Sequence, residues 1–229
     1  MDERVELLTI DKSWTAAYPD AAVGIMLVTG IANAGAQGTL AEGKAALEAD
    51  IRARFTSRDA IKNDAVIQAY SAYYKRFKKS YHVFLQLDSI ALKGKSIPNV
   101  NALVEAMFMA EISDLLLTAG HDWELVKPPV TLAVADVSEE YTVMSGKQQV
   151  LKAGDMYVRD SKGVLSSIVY GPDKRTSISA DTRSAFFVTY APPGITRAQT
   201  RAHLEHLRAI IRTFAPAAEA DLRIYPDNI

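Results

Sequence analysis

The 229-residue sequence predicts an α+β fold of mixed β-sheet layers packed against helices. Two observations carry that prediction. The first hundred residues read as one buried strand followed by helices, whereas the second hundred read as short strands punctuated by turn residues. A single amphipathic helix then follows the strands, and helices, strands and one packing helix in that order make an α+β pattern. A content of 48% hydrophobic and 23% charged residues suits a chain of this length that buries its own core.

The elements follow in chain order. Ala22–Thr29 (AVGIMLVT) is a short continuous apolar run of the buried-strand kind. Residues 30–38 hold three glycines and read as loop. Leu47, Ile51 and Phe55 recur at spacing four, which sets one face of a helix. A second helix is expected to turn Ile61, Val66, Ala69 and Tyr73 inward, and a third to span 83–92 and stop at Gly94. Pro98 and Asn99 open a fourth, apolar helix with Leu103, Val104, Met107, Leu115 and Leu116. Strands are expected at 130–135, 140–144, 156–159, 164–170 and 185–190, separated by turns at Gly146, Gly154, Gly163 and Gly171. The last helix starts near Thr196 as N-cap and buries Leu204, Leu207, Ile211 and Phe214.

Composition excludes several chemistries. With no cysteine, the chain has no disulfide, no thiol nucleophile and no thiolate-held zinc. With four histidines and no HExxH, a metal site is not expected, and neither is a cofactor, since no GxGxxG or GxxxxGK[ST] occurs. GxSxG is also absent. His203 and His206 stand three apart and read as a solvated helix face. Glu139 and Glu140 read as a turn before a strand. The acidic start lacks the apolar core of a signal peptide and no apolar run reaches about 20 residues, so no membrane contact and a cytoplasmic location are expected.

Net charge is −1, so nucleic-acid contact would need a local patch. One exists at Tyr70–Tyr81 (YSAYYKRFKKSY), where Lys75, Arg76, Lys78 and Lys79 lie among Tyr70, Tyr73, Tyr74, Phe77 and Tyr81. Two readings stand. The aromatics stack on single-stranded bases while the cations hold phosphates, or the tyrosines fill the core and the cations end a helix. A second cluster, His121-Asp122-Trp123-Glu124, gathers an imidazole and two carboxylates in an expected loop.

Lys93-Gly94-Lys95-Ser96-Ile97-Pro98-Asn99-Val100-Asn101-Ala102-Leu103-Val104-Glu105 resembles a conserved run of the B3/B4 domain of the phenylalanyl-tRNA synthetase beta subunit. The likeness continues through Asp122, through Ala153-Gly154-Asp155-Met156-Tyr157-Val158-Arg159-Asp160 and Lys162-Gly163-Val164, and through Thr176 to Thr182. It covers residues 68–212, with 1–67 as an extension packed on the same single domain. The resemblance implies a three-layer ββα sandwich and a free-standing tRNA-editing protein that hydrolyses a mischarged aminoacyl ester by water attack, without metal. It implies tRNA and an aminoacyl or small amino-acid-like group as partners.

By the resemblance the pocket takes residues from Asn99, Asn101, Glu105, Met107, Phe108, His121, Asp122, Tyr170, Gly171, Asp173, Arg175 and Thr189. The start of the fourth helix, the His121-Asp122 segment and the Tyr170–Arg175 turn should meet there. The sequence departs from the family inside that pocket. Met107-Phe108 replaces a Thr-Asn pair, Ala119 falls where the family has a histidine, and no acid stands near Val188-Thr189 to recognise a phenol. The alternative is therefore a non-catalytic module that binds tRNA or an amino-acid-like ligand. A third reading is an enzyme that uses the same cleft on an unrelated small molecule. As caps of a helix, Asn99 and Asn101 also have a purely structural reading.

Overall fold

The computed structural model describes residues 7–31, 38–136 and 138–226. Part of the expected loop at 30–38 lies outside the described residues. The chain runs β1 (Thr9–Ile10), α1 (Lys12–Ala17), β2 (Ala22–Thr29), α2 (Ala41–Arg54), α3 (Arg58–Lys62), α4 (Ala65–Lys75) and α5 (His82–Leu87). A π turn (Asp88–Leu92) extends α5, and α6 (Ala102–Asp114) and β3 (Thr118–Asp122) follow. Then come β4 (Thr131–Val134), β5 (Glu140–Thr142), β6 (Gln148–Val150), β7 (Met156–Asp160), β8 (Gly163–Ser167), β9 (Gly171–Pro172) and β10 (Ala185–Ala191). The last elements are α7 (Arg197–Phe214) and β11 (Glu219–Tyr225). The fold is α+β.

One sheet has the order β11-β2-β10-β3 and is antiparallel throughout. The other has the order β1-β4-β7-β8-β9, with β1 parallel to β4. β5 and β6 form a separate hairpin. Side chains show how the layers stack. His121 of β3 and Tyr190 of β10 both reach Ser166 of β8, so the two sheets face each other. Residues of opposite parity on the same strands, Thr118 and Thr189, turn the other way, and Thr118 meets His203 of α7. Gly24 of β2 lets α7 approach closely, since a Cβ there would lie 2.7 Å from Leu204 Cδ1 and 2.8 Å from Thr200 Cγ2.

Local chemistry accounts for the element ends. Thr196 caps α7 through a full capping box with Gln199. Asn101 caps α6 by accepting from the Val104 N–H at 3.1 Å, so α6 begins at Ala102 and the Pro98-Asn99 pair stays outside it. α6 ends at Leu115, a left-handed residue with φ +66°. The expected second helix is two, because Asp64 accepts from the Val66 and Ile67 N–H groups and starts α4 afresh. His121 and Asp122 lie in β3, not in a loop. The sequence does not announce this strand, because Thr118–Asp122 has neither apolar alternation nor a β-branched residue beyond Thr118. The remaining strands missing from the sequence reading are short edge or hairpin pieces, except β11, which completes the first sheet at its edge.

Candidate functional site

The expected pocket residues fall into separate groups. In the first, the buried Lys44 ammonium donates to Asn99 Oδ1 at 2.5 Å and to Glu105 Oε2 at 2.6 Å. The other Glu105 oxygen accepts from the Val100 N–H at 2.8 Å. Asn99, Asn101 and Glu105 thus hold the entry to α6, and each has its bonds inside the protein.

The second group surrounds His121, which is fully buried. Its Nδ1 lies 2.8 Å from Thr176 Oγ1 and its Nε2 3.2 Å from Ser166 Oγ. The Thr176 hydroxyl donates to Asp173 Oδ1, so it accepts from His121 Nδ1–H, which fixes the tautomer. Asp173 also faces the Arg175 guanidinium at 3.4 Å, and Arg175 spans to Asp160 at 3.0 and 3.1 Å. Asp122 accepts from the Thr182 hydroxyl at 2.6 Å and the Glu124 N–H at 3.0 Å. A general base must reach the proton it removes. His121, enclosed and bonded on both nitrogens, instead joins the two sheets.

Thr189 belongs to a third group that the sequence did not reveal. It bonds Thr118 at 2.9 Å, Thr118 bonds His203 Nε2 at 2.7 Å, and His203 Nδ1 lies 2.9 Å from Asp114. His203 is therefore a core residue, not part of a solvated face. His206, half-exposed, also pairs with Asp114 at 2.9 Å. Although burial raises it, bonds from both histidines hold the Asp114 pKa down to about 2. Beside this group burial pushes Glu111 up to about 8, opposed by the Thr118 N–H that its Oε1 accepts at 2.8 Å. Among the described residues no cluster of three His, Asp or Glu has the arrangement of a metal site.

Met107 and Phe108, neighbours on α6, diverge. Met107 Sδ packs over Gly120, where a Cβ would lie 3.0 Å from it, 2.8 Å from Ile178 Cδ1 and 3.1 Å from Phe187 Cε1. Phe108 instead lines a groove of ≈ 380 Å³ with His82, Leu85, Gln86, Ser89, Ile90, Lys95, Ser96 and Pro98. Tyr170 is half-buried beneath the Lys79 ammonium, 5.3 Å from its ring centre, and the Gly171 carbonyl accepts from Tyr141 at 2.8 Å.

The aromatics of the Tyr70–Tyr81 segment point inward. Tyr70, Tyr73, Tyr74, Phe77 and Tyr81 are buried. Tyr70 donates to the Tyr190 carbonyl, Tyr74 to that of Ile168 and Tyr81 to that of Leu115. Tyr73 donates to Asp155 at 2.8 Å, and burial lifts that carboxyl to about 7 against this bond. These rings have no face left for a base, so the stacking half of the nucleic-acid reading does not hold.

The cations stay outside. Arg76, Phe77, Lys78, Lys152 and Ala153 line a depression of ≈ 340 Å³. The Arg76 guanidinium rests over Tyr18, Tyr73 and Phe77, its carbon 5.2, 5.5 and 5.6 Å from their ring centres. Lys152 Nζ donates to the Phe77 carbonyl at 2.5 Å, and its other two protons have no partner among the described residues. Among the described residues no carboxylate lies within ion-pair distance of Arg76, Lys78, Lys79 or Lys152. Nothing in the sequence singles out Lys152, which lies 74 positions beyond Lys78, and only the fold brings the two together.

No family model matches the chain, and no curated protein matches it. A crystal structure of an N-terminal fragment of the phenylalanyl-tRNA synthetase beta subunit from Pyrococcus horikoshii is similar at 12% identity and a TM-score of 0.49. The similarity is distant. It covers 96% of this chain and 54% of that one, so the chain spans about half the length of the fragment it matches. No helix among the described residues is long and apolar enough to cross a membrane.

Proposed function

We propose that the chain is a tRNA-linked binding protein that holds RNA phosphates at Arg76, Lys78 and Lys152. One observation supports this above the others: three cations line one depression, and none has a carboxylate partner among the described residues. Cations without a carboxylate partner around a concave surface attract an anion, and a guanidinium held among aromatic rings loses less freedom when it takes a phosphate. Lys75 and Lys79 flank the same helix end and extend the patch. Binding of this kind is electrostatic and carries no sequence reading.

The non-catalytic form of the reading is preferred over a deacylase. Its support is that His121, the imidazole among the expected pocket residues, has both nitrogens bonded and no exposure. The test is tRNA affinity against salt concentration, with deacylation measured on a panel of mischarged tRNAs. Three phosphate contacts give a log–log salt slope of about −2 on single-stranded segments. The triple variant Arg76→Gln, Lys78→Asn, Lys152→Met should lose most affinity and most of that slope. Asn suits position 78 because the backbone there has φ +56°. Unchanged affinity and slope would remove the RNA reading, and ester cleavage above the spontaneous rate would restore the deacylase.

A further inference from the structure

The groove between α5, the π turn and α6 has the composition of a small-molecule site. Its apolar side is Leu85, Ile90, Pro98 and Phe108, and its polar side is His82, Gln86, Ser89, Lys95 and Ser96. Leu85 is 47% exposed on the groove wall, apolar surface that a ligand would cover. At ≈ 380 Å³ the groove falls in the usual range for ligand pockets. The π turn at Asp88–Leu92 is a further mark, since such turns are rare and concentrate at functional sites. Asp88 pins it through ion pairs to Arg58 at 3.0 Å and Lys93 at 2.5 Å.

The polar atoms define what the groove would accept. Tyr74 gives its only hydroxyl proton to the Ile168 carbonyl. Its oxygen, 3.2 Å from His82 Nδ1, must therefore accept, so Nδ1 carries the imidazole proton. Among the described residues His82 Nε2 has no donor and is left as a bare acceptor. Burial pulls the ring's pKa down to about 4, so it stays neutral near pH 7. One helical turn on, Gln86 Oε1 is buried with no hydrogen-bond partner among the described residues. A buried acceptor without a donor is costly, and the terminal amide torsion is soft enough to turn it toward the groove. Lys95 is exposed at the rim, with no ion pair among the described residues.

We infer that this groove binds a small aromatic monocarboxylate that carries an N–H or O–H donor. The donor meets His82 Nε2 and Gln86 Oε1, the ring lies against Leu85, Ile90 and Phe108, and the carboxylate faces Lys95. The inference is independent of the phosphate-binding proposal, because the two sites share no residue.

Three probes with one indole body separate these contacts in calorimetric titrations of the full chain. Indole-3-acetate has ring, donor and anion, 1-methylindole-3-acetate lacks the donor, and indole-3-acetamide lacks the charge. Indole-3-acetate should bind saturably, and each of the others about fivefold to tenfold more weakly, the ratio expected of one lost hydrogen bond or charge contact. Lys95→Met should erase the preference for acetate over acetamide while keeping the preference for free N–H. The exposed-rim variant Leu85→Glu should abolish binding of the acetate with its melting temperature unchanged. Absence of saturable binding below about 10 mM would overturn the inference. So would equal affinity for all three probes, or affinity untouched by both substitutions.

Discussion

Gly120→Ala tests whether the wall formed by Met107 is packed or open. The added methyl would stand 2.8 Å from Ile178 Cδ1, 3.0 Å from Met107 Sδ and 3.1 Å from Phe187 Cε1. Phe187 is fully buried in β10, directly opposite Gly120 in the β3–β10 register, so its ring has nowhere to retreat. Overpacking of this kind costs about 1–3 kcal/mol. Replacing glycine in a strand returns about 0.5–1 kcal/mol through lost freedom of the unfolded chain. The net expectation is a loss of about 1–2 kcal/mol, read as a fall in urea midpoint at constant m-value. For a chain of this size that is roughly 3–6 °C of melting temperature. Met107→Ala in the same chain should return part of the loss, as a coupling of about 1 kcal/mol in a double-mutant cycle. If Gly120→Ala were as stable as the parent, Met107 and Ile178 would be free to swing aside. A pocket that admits ligand would then exist over Gly120, and the packed reading would be wrong.

The other predictions concern groups that the structure satisfies internally. Asn101→Ala should cost about 1 kcal/mol of stability in chemical denaturation, through the Val104 N–H it leaves unmet. Lys44→Met should cost about 3–5 kcal/mol, because it strands a buried Glu105, and Lys44→Met with Glu105→Gln should be much closer to the parent. Stability should fall as pH rises toward 8. Asp155 and Glu111 have folded pKa values raised to about 7 and about 8, so the fold keeps protons that the unfolded chain releases from about pH 4 upward. Their contribution is complete in acid and is lost as pH climbs through those values, at up to about 1.4 kcal/mol per pH unit for each group. Glu111→Gln should flatten the upper part of that slope, and an unchanged slope from pH 6 to 8 would show that Glu111 is not the group responsible.

Much of the fold was legible because its signals are local. Ala22–Thr29 is a strand with the bounds that its apolar run suggests, and Thr196 with Gln199 announces α7 by itself. The break between α3 and α4 was not legible, since Ile61 and Val66 continue an apolar face across it and only the Asp64 side chain ends one helix and begins the next. The site was less legible than the fold. Lys44 looks like a solvated residue of a polar helix face, yet its partners Asn99 and Glu105 lie 55 and 61 positions away. His203 looks like one of a surface pair, and only the approach of β3 to α7 supplies Thr118 and buries it. Long-range hydrogen bonding decided each of these cases, and no periodicity encodes it.

The Tyr70–Tyr81 segment shows how one stretch can satisfy both readings of its residues at different depths. Tyr70 stacks on Tyr81 with ring centres 4.3 Å apart and planes 5° from parallel, and both hydroxyls end on backbone carbonyls. Those bonds, with Tyr74 on Ile168 and Tyr73 on Asp155, clip α4 to the chain around β3, β7, β8 and β10. Once the rings are committed inward, Lys75 at the end of α4 and Arg76, Lys78 and Lys79 in the turn that follows stay outward, with Arg76 over the rings of Tyr73 and Phe77. The residue just after the segment is His82, whose proton is placed by Tyr74. The tyrosine cluster thus sets the position of a cation on one side and the tautomer of an acceptor on the other. It supports the phosphate-binding depression and the apolar groove without lining more than a small part of either.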